Sequence, residues 1–184
     1  GAPGMLDRLA RQRLLRPMRR SRFEGAAAYE FRSGTLRELV YQQLRGDDLP
    51  RLHRATAAWL LARLDVSPEE VADHHERAGD APRAAAAYAE AARRASRFGD
   101  VSATRAHAEH VLRLTGDPDL RWAAFSAQDD VLHLESDAGR RRWGLTQMEA
   151  LAAGRAPEFA LELAWRWCYF LRLSAAADER DRAR

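Results

Sequence analysis

Apolar residues recur every three or four positions over most of this chain, which is the spacing of one face of an α-helix. After residue 80 the pattern predicts five helices, whose apolar stripes start near Ala84, Val101, Leu120, Leu145 and Phe159. Small side chains dominate these stripes, so the helices can approach one another closely. The pattern therefore favours paired, stacked helices over a leucine-rich bundle.

The last predicted helix, from about Pro157, is apolar on two sides. One side carries Phe159, Leu163, Trp167 and Phe170, and the other carries Leu161, Trp165 and Cys168. A helix that is apolar on both sides is expected to lie between neighbours in a stack. We therefore expect Cys168 to be a buried, unreactive side chain.

Gly-Asp pairs separate the predicted helices, at residues 46–47, 79–80, 99–100 and 116–117. Glycine is favoured in the left-handed conformation after a helix, and aspartate caps the helix that follows. Ser67 with Glu70 has the pattern of a capping box for one more helix. The interval from Gly79 to Gly116 is close to the helix pair of about 34 residues in a tetratricopeptide repeat.

The first 45 residues have a different pattern. Leu6, Leu9, Leu14 and Leu15 predict a helix that ends before Pro17, residues 18–32 predict a small β-hairpin, and residues 35–44 predict a helix. This order is typical of the end of a winged-helix domain. We therefore predict an all-α fold: a tetratricopeptide-like helical-repeat array (an α-solenoid) over residues 47–184, preceded by a winged-helix remnant with a β-hairpin over residues 1–46.

Residues 31–60 resemble a segment of the STAND-type bacterial signalling ATPases, in which an AAA-like nucleotide-binding domain precedes a winged helix and a helical-repeat array. The matching positions are Phe31, Leu36, Arg37, Glu38, Tyr41, Leu44, Leu52, His53, Ala57 and Leu60. One position departs from the family pattern, because Ser33 stands where the family has a histidine. The resemblance implies weakened nucleotide sensing wherever that histidine contributes to it.

A second stretch resembles the first repeat after the winged helix in the same proteins. Its matching positions are His75, Gly79, Ala84 and Tyr88. The two stretches imply structural roles for all these residues, and they imply that ATP or ADP with Mg²⁺ binds upstream of this segment. Members of the family often carry a protein kinase, an adenylate cyclase or a DNA-binding domain as well.

Positive charge is concentrated at the start of the chain. All 30 basic residues are arginines and the net charge is +3, but residues 1–22 hold seven arginines against the single acid Asp7. Arg16, Arg19, Arg20 and Arg22 are candidate phosphate contacts of a DNA-binding wing. The alternative is that these side chains face a neighbouring nucleotide-binding domain or the solvent.

No residue pattern in the chain predicts catalysis. A phosphate-binding loop needs a lysine, and the sequence has none. The candidate metal ligands are His74 and His75, beside Asp73 and Glu76, and the pair His107 and His110 on one helix face. Neither set has the spacing of a zinc site. We therefore expect no catalytic, cofactor-binding or metal-binding residue in this segment.

Together these patterns predict a non-catalytic interaction segment of a multidomain signalling ATPase. We expect it to bind a protein or small effector, or its own nucleotide-binding domain, and to couple that event to the ATPase. The alternative prediction is a DNA-binding transcriptional regulator. A single cysteine and no apolar run of about 18 residues predict a cytoplasmic location, and the two chain ends predict a piece of a longer protein.

Overall fold

The computed structural model describes residues 2–44, 46, 48–63, 66–132 and 137–182. It is mostly helical, with one small antiparallel pair of strands. The chain divides into two compact units, Gly1–Val66 (unit 1) and Ser67–Arg184 (unit 2). The predicted boundary at residue 46 lies one helix earlier than this division. Along the described residues, no helix is both long enough and apolar enough to cross a membrane.

Unit 1 combines three helices with the hairpin in its described part. The elements are α1 (Ala2–Arg11), β1 (Leu15–Pro17), β2 (Tyr29–Phe31), α2 (Gly34–Gln43) and α3 (Asp48–Leu61). The two strands pair antiparallel, with Leu15 opposite Phe31 and Pro17 opposite Tyr29. A hairpin is therefore present, but its first strand lies entirely before the predicted range of residues 18–32, and only β2 falls within it.

The predicted end of the first helix is wrong. The helix stops at Arg11, and Leu14 and Leu15 lie outside it, with Leu15 already in β1. Arg13 has a φ of 61°, a left-handed conformation that a non-glycine residue seldom adopts and that turns the chain out of the helix. The apolar spacing continued past this residue, so the pattern alone could not reveal the stop.

Unit 2 consists of consecutive helices in its described part. They are α4 (Pro68–Arg77), α5 (Ala81–Arg97), α6 (Val101–Leu114), α7 (Pro118–Leu132), α8 (Ala138–Ala152) and α9 (Pro157–Arg182). Ser67, Asp80 and Asp100 cap their helices as predicted, each accepting a backbone hydrogen bond from the residue three positions later. Each cap is formed by residues close together in sequence.

The Gly-Asp pairs behave differently from one another. Gly46, Gly79 and Gly99 adopt positive φ as predicted, but Gly116 does not. Helix α6 ends instead at Thr115 in an extended conformation, so no left-handed glycine is needed there. Asp117 still caps α7 by accepting from the backbone N–H of Asp119 and Leu120. Asp47 lies outside the described residues.

The helices of unit 2 form a continuous stack. Each helix packs on the next one, and α5 also packs on α7. Side chains join α4 to α6 through Glu76 and His110, and α7 to α9 through Trp122 and Glu162. The stack therefore combines packing between neighbours in sequence with these links between alternate helices.

Two apolar clusters hold this stack together. The cluster between α4 and α7 is rich in alanine, and Ala84, Ala92, Ala108 and Ala124 have no exposed surface. Small side chains therefore fill the space between these helices. The cluster between α7 and α9 contains larger side chains: Trp122, Phe125, Leu145, Met148, Leu163 and Phe170.

The prediction that α9 is covered on both sides is wrong. Leu163 and Phe170 are buried, whereas Leu161 is 74% exposed and Trp165 is 63% exposed. Cys168, expected in the interior, is exposed as well. Among the described residues, the side of α9 that faces α7 and α8 is packed, and the opposite side has no neighbour.

Candidate functional site

A cluster of polar and aromatic side chains bridges α4 and α6 above α5. We call Glu76, Tyr88, His107, His110 and Arg113 the Glu76 cluster. Glu76 lies in the last turn of α4, Tyr88 in the middle of α5, and the other three along α6. The spacing of three residues between successive members on α6 places their side chains on one face.

The Glu76 carboxylate is the centre of this cluster. Its Oε1 accepts a hydrogen bond from Nη2 of Arg113 at 2.6 Å, and its Oε2 lies 3.1 Å from Nδ1 of His110. Nη2 of Arg113 is also 2.7 Å from the same His110 nitrogen. A protonated Nδ1 donates to Glu76 and a bare Nδ1 accepts from Arg113, so the imidazole tautomer selects between the two contacts.

Tyr88 forms the base of the cluster. Its ring stacks on His110 with a centroid distance of 4.3 Å, and on His107 at 6.0 Å. Its hydroxyl hydrogen-bonds the Glu76 carboxylate. Burial and this hydrogen bond raise the pKa of Tyr88 far above its ordinary value, so the hydroxyl stays protonated and acts as a donor.

The charges of the cluster follow from these contacts. Burial opposes ionisation of Glu76, but hydrogen bonds from Arg113 and Tyr88 outweigh it and lower the pKa of that carboxyl. Burial lowers the pKa of His107, against the attraction of Glu69 and Asp100. At neutral pH the cluster therefore holds an ionised carboxylate, a guanidinium and a neutral His107.

Acidification is expected to destabilise unit 2 between about pH 7 and pH 5. Burial lowers the pKa of both His75 and His107, so the unfolded chain binds more protons than the folded chain in this range. The free energy of unfolding should therefore fall as the pH falls, and urea denaturation at several pH values measures it.

The His107→Phe variant should flatten this pH dependence, because phenylalanine cannot take up a proton. Glu109→Gln is the matched control, since Glu109 is exposed on the same helix and carboxylates ordinarily titrate below this range. If the free energy of unfolding of His107→Phe depends on pH as steeply as that of the wild type, the assignment of the pH dependence to this imidazole is contradicted.

The structure brings some of the family-signature residues of unit 1 together. The Tyr41 hydroxyl and Nε2 of the buried His53 are 3.0 Å apart, which links α2 to α3. Ser33, which replaces the family's histidine, caps α2 by accepting from the backbone N–H of Leu36. Of the other signature positions in this unit, Phe31, Arg37, Glu38 and Leu52 are exposed, whereas Ala57 and Leu60 are buried.

Phe31 and Leu36 line an open apolar cavity of about 570 Å³. The other lining residues are Leu6, Leu9, Leu14, Leu15, Ala27, Tyr29 and Val40. Only Leu15 of this set is buried, so the cavity is an open groove on unit 1.

The signature residues of unit 2 have structural surroundings. His75 and Tyr88 are buried, Ala84 has no exposed surface, and Gly79 has a φ of 73° at the end of α4. A left-handed glycine ends the helix and lets Asp80 start the next one. These four residues thus occupy core and turn positions.

The four candidate nucleic-acid contacts are all exposed on the hairpin and the turn between its strands. Nε of Arg16 donates to Glu30 at 2.6 Å, and the guanidinium of Arg22 lies 4.5 Å from the Phe23 ring centroid. Arg19 and Arg20 have no ion-pair partner among the described residues. The hairpin therefore presents several guanidinium groups, of which that of Arg16 is paired with Glu30.

A buried ionic network joins α7, α8 and α9, and the sequence reasoning missed it. Oδ1 of Asp129 accepts from Nε of Arg141 at 2.6 Å, and its Oδ2 accepts from Nη1 of Arg166 at 2.9 Å. Arg166 also contacts Asp130 and Glu162. The available signal was that Asp129 lies four residues after Phe125, on the apolar spacing of its helix.

No group of three or more potential metal ligands converges within the described ranges. The chain matches no protein-family model, no curated protein and no solved structure. The likeness to STAND-type ATPases therefore stays a resemblance based on the residues quoted above.

Proposed function

We propose that this chain is a regulatory interaction segment of a multidomain bacterial signalling ATPase located in the cytoplasm. In this proposal unit 2 is a tetratricopeptide-like stack that binds a protein or small effector, or the protein's own nucleotide-binding domain. The observation that carries the proposal is the stack of α4–α9, in which each helix packs on the next one and α5 packs on both α6 and α7. The resemblance of residues 31–60 supplies the ATPase context.

The Glu76 cluster is the proposed site where an effector acts on the stack. Glu76 connects α4 with α6 through Arg113 and His110. The side chain of Arg113 is 56% exposed, so an anionic group of an effector can reach it. Such a group competes with Glu76 for the guanidinium and changes the spacing of α4 and α6. Helical stacks transmit a change of this kind as a change in curvature.

The test uses the full reading frame that contains this chain. We expect a phosphate-binding loop in the region that precedes these residues, and ATP hydrolysis by the full-length protein. Deleting residues 67–184 should change the hydrolysis rate about fivefold or more, the usual size of regulatory coupling. A reading frame without a nucleotide-binding domain, or a deletion that leaves the rate unchanged, would overturn the proposal.

Arg113→Ala in the full-length protein tests the site itself. We expect it to change the ATPase rate in the same direction as the deletion, because it removes one of the two contacts that join Glu76 to α6 and leaves only that of His110. Arg94→Ala is the matched control, since Arg94 is an exposed arginine on α5 outside the cluster. If the two substitutions change the ATPase rate equally, the Glu76 cluster is not the site where the stack regulates the ATPase.

The second candidate function is DNA binding through the hairpin, and the exposed guanidiniums of Arg19 and Arg20 favour it. Replacing Arg16, Arg19, Arg20 and Arg22 with alanine should then abolish duplex binding measured by fluorescence anisotropy. For four phosphate contacts, log K should fall against log salt with a slope of about −3 to −4 in the wild type. A control variant replaces four exposed arginines of α5: Arg83, Arg93, Arg94 and Arg97. Equal losses in both variants would contradict recognition by the hairpin.

A further inference from the structure

The outer side of α9 is an apolar surface without a neighbour among the described residues. It consists of Leu161, Ala164, Trp165, Cys168 and Leu171, all exposed and spaced as one helix face. The Trp165 ring stacks on Tyr169 at 5.7 Å with an interplanar angle of 4°. The two rings extend the apolar face of the helix sideways.

Two opposite charges lie at the two ends of this outer side. Glu158 and Arg172 are both exposed, and neither has an ion-pair partner among the described residues. Glu158 precedes Trp165 by two helical turns, and Arg172 follows it by two. At 1.5 Å per residue, each charge is about 10 Å along the helix from the tryptophan. The surface is thus acidic at one end, apolar in the middle and basic at the other end.

We propose that this outer side binds the same side of a second copy of the chain, with the two α9 helices antiparallel and centred on Trp165. A two-fold axis at this residue places Glu158 opposite Arg172 of the second copy, and Arg172 opposite its Glu158. The same axis brings the two Trp165 rings together. A two-fold interface of this kind is self-complementary.

The charge pattern selects this arrangement over its parallel alternative. A parallel pair in register would place Glu158 against Glu158 and Arg172 against Arg172, which is unfavourable. Antiparallel pairing turns both repulsions into attractions and still buries the central apolar residues. The interface does not depend on the ATPase proposal, because it uses only residues of α9.

The expected affinity is modest. One helix side buries less surface than the roughly 800 Å² per partner of a standard stable interface. We therefore expect a dissociation constant of about 10–100 µM.

Sedimentation analysis of the full chain between about 5 and 500 µM tests the proposal. We expect a reversible monomer–dimer equilibrium in the wild type and a monomer at all concentrations for Trp165→Glu. Phe98→Glu is the matched control, since Phe98 is 81% exposed at the end of α5, away from α9. A wild-type chain that stays monomeric throughout, or a Phe98→Glu variant that also loses the dimer, would overturn the proposal.

Charge exchange tests the antiparallel register, and it also applies if Trp165→Glu fails to fold. Glu158→Arg alone and Arg172→Glu alone each place like charges together, so each should weaken the dimer about tenfold. The double variant should restore it. Glu158→Arg places a positive charge near the N-terminus of α9, where it opposes the helix dipole, and the double variant has the same charge there. Recovery of the dimer in the double variant is therefore due to the pairing of residues 158 and 172. A double variant no tighter than the singles would overturn the register.

Discussion

The Asp129→Ala variant is expected to lose about 3–5 kcal/mol of the free energy of unfolding, the usual cost of breaking a buried ion pair on one side. Arg141 and Arg166 are both buried, and each donates to one oxygen of the Asp129 carboxylate. Arg166 retains Asp130 and Glu162 after the substitution. Arg141 has no other acid within ion-pair distance among the described residues, so its charge stays buried and uncompensated.

Urea denaturation followed by circular dichroism measures this loss. Asp130→Ala is the matched control, because Asp130 contacts the same Arg166 from a side chain that is 49% exposed. Its loss should be within about 1 kcal/mol, as for surface ion pairs. If the two variants lose similar amounts of the free energy of unfolding, the burial of Asp129 does not increase the contribution of its ion pairs to stability.

A double variant distinguishes the cost of leaving the Arg141 charge buried without a partner from the loss of the ion pair with Asp129. Adding Arg141→Met to Asp129→Ala removes the uncompensated charge and keeps a long apolar side chain beside Tyr169 and Phe170, whose rings Arg141 contacts. We expect the double variant to recover a large part of the stability, since apolar replacements of buried ion pairs are often neutral. A double variant as unstable as Asp129→Ala would contradict this explanation.

The Phe125→Ala variant is expected to lose about 3–5 kcal/mol for a different reason, the cavity left in a packed core. Phe125 is 2% exposed, in the cluster that joins α7, α8 and α9. Its ring meets the Trp143 ring edge to face at 5.6 Å. The same urea titration measures the loss, and the fluorescence of Trp143 should change with its surroundings.

Phe98→Ala is the control for this core substitution, because it removes the same ring from an exposed position. Its effect should be within about 0.5 kcal/mol. A Phe125→Ala loss below about 1 kcal/mol would mean that α7 and α8 close the cavity by shifting together.

The candidate site could be predicted from the sequence only in part. His75 and Tyr88 were identified as members of a repeat pattern, but the role of Tyr88 beneath His110 and Glu76 was not. Glu76 and Arg113 are on different helices and 37 positions apart. Their contact depends on how α4 and α6 pack over α5, and side-chain periodicity within one helix carries no information about that packing.

The sequence by itself determined the helices and most of their caps. An N-cap bond such as that of Asp100 involves residues only three positions apart, so local chemistry decides it. The left-handed turn at Arg13 was missed even though it is local, because arginine is not a residue type that favours this conformation. Where the capping hydrogen bonds and the apolar spacing agree, the sequence of that stretch is sufficient to define the helix.

The tertiary structure alone decided which polar residues are buried and which side of α9 is covered. Asp129 lies on the apolar spacing of its helix, but only the crossing of three helices brings its partners Arg141 and Arg166 onto it. The two sides of α9 are almost equally apolar, so hydrophobicity could not choose between them. The positions of α7 and α8 made the choice, because a side chain is buried only where a neighbouring helix removes it from water.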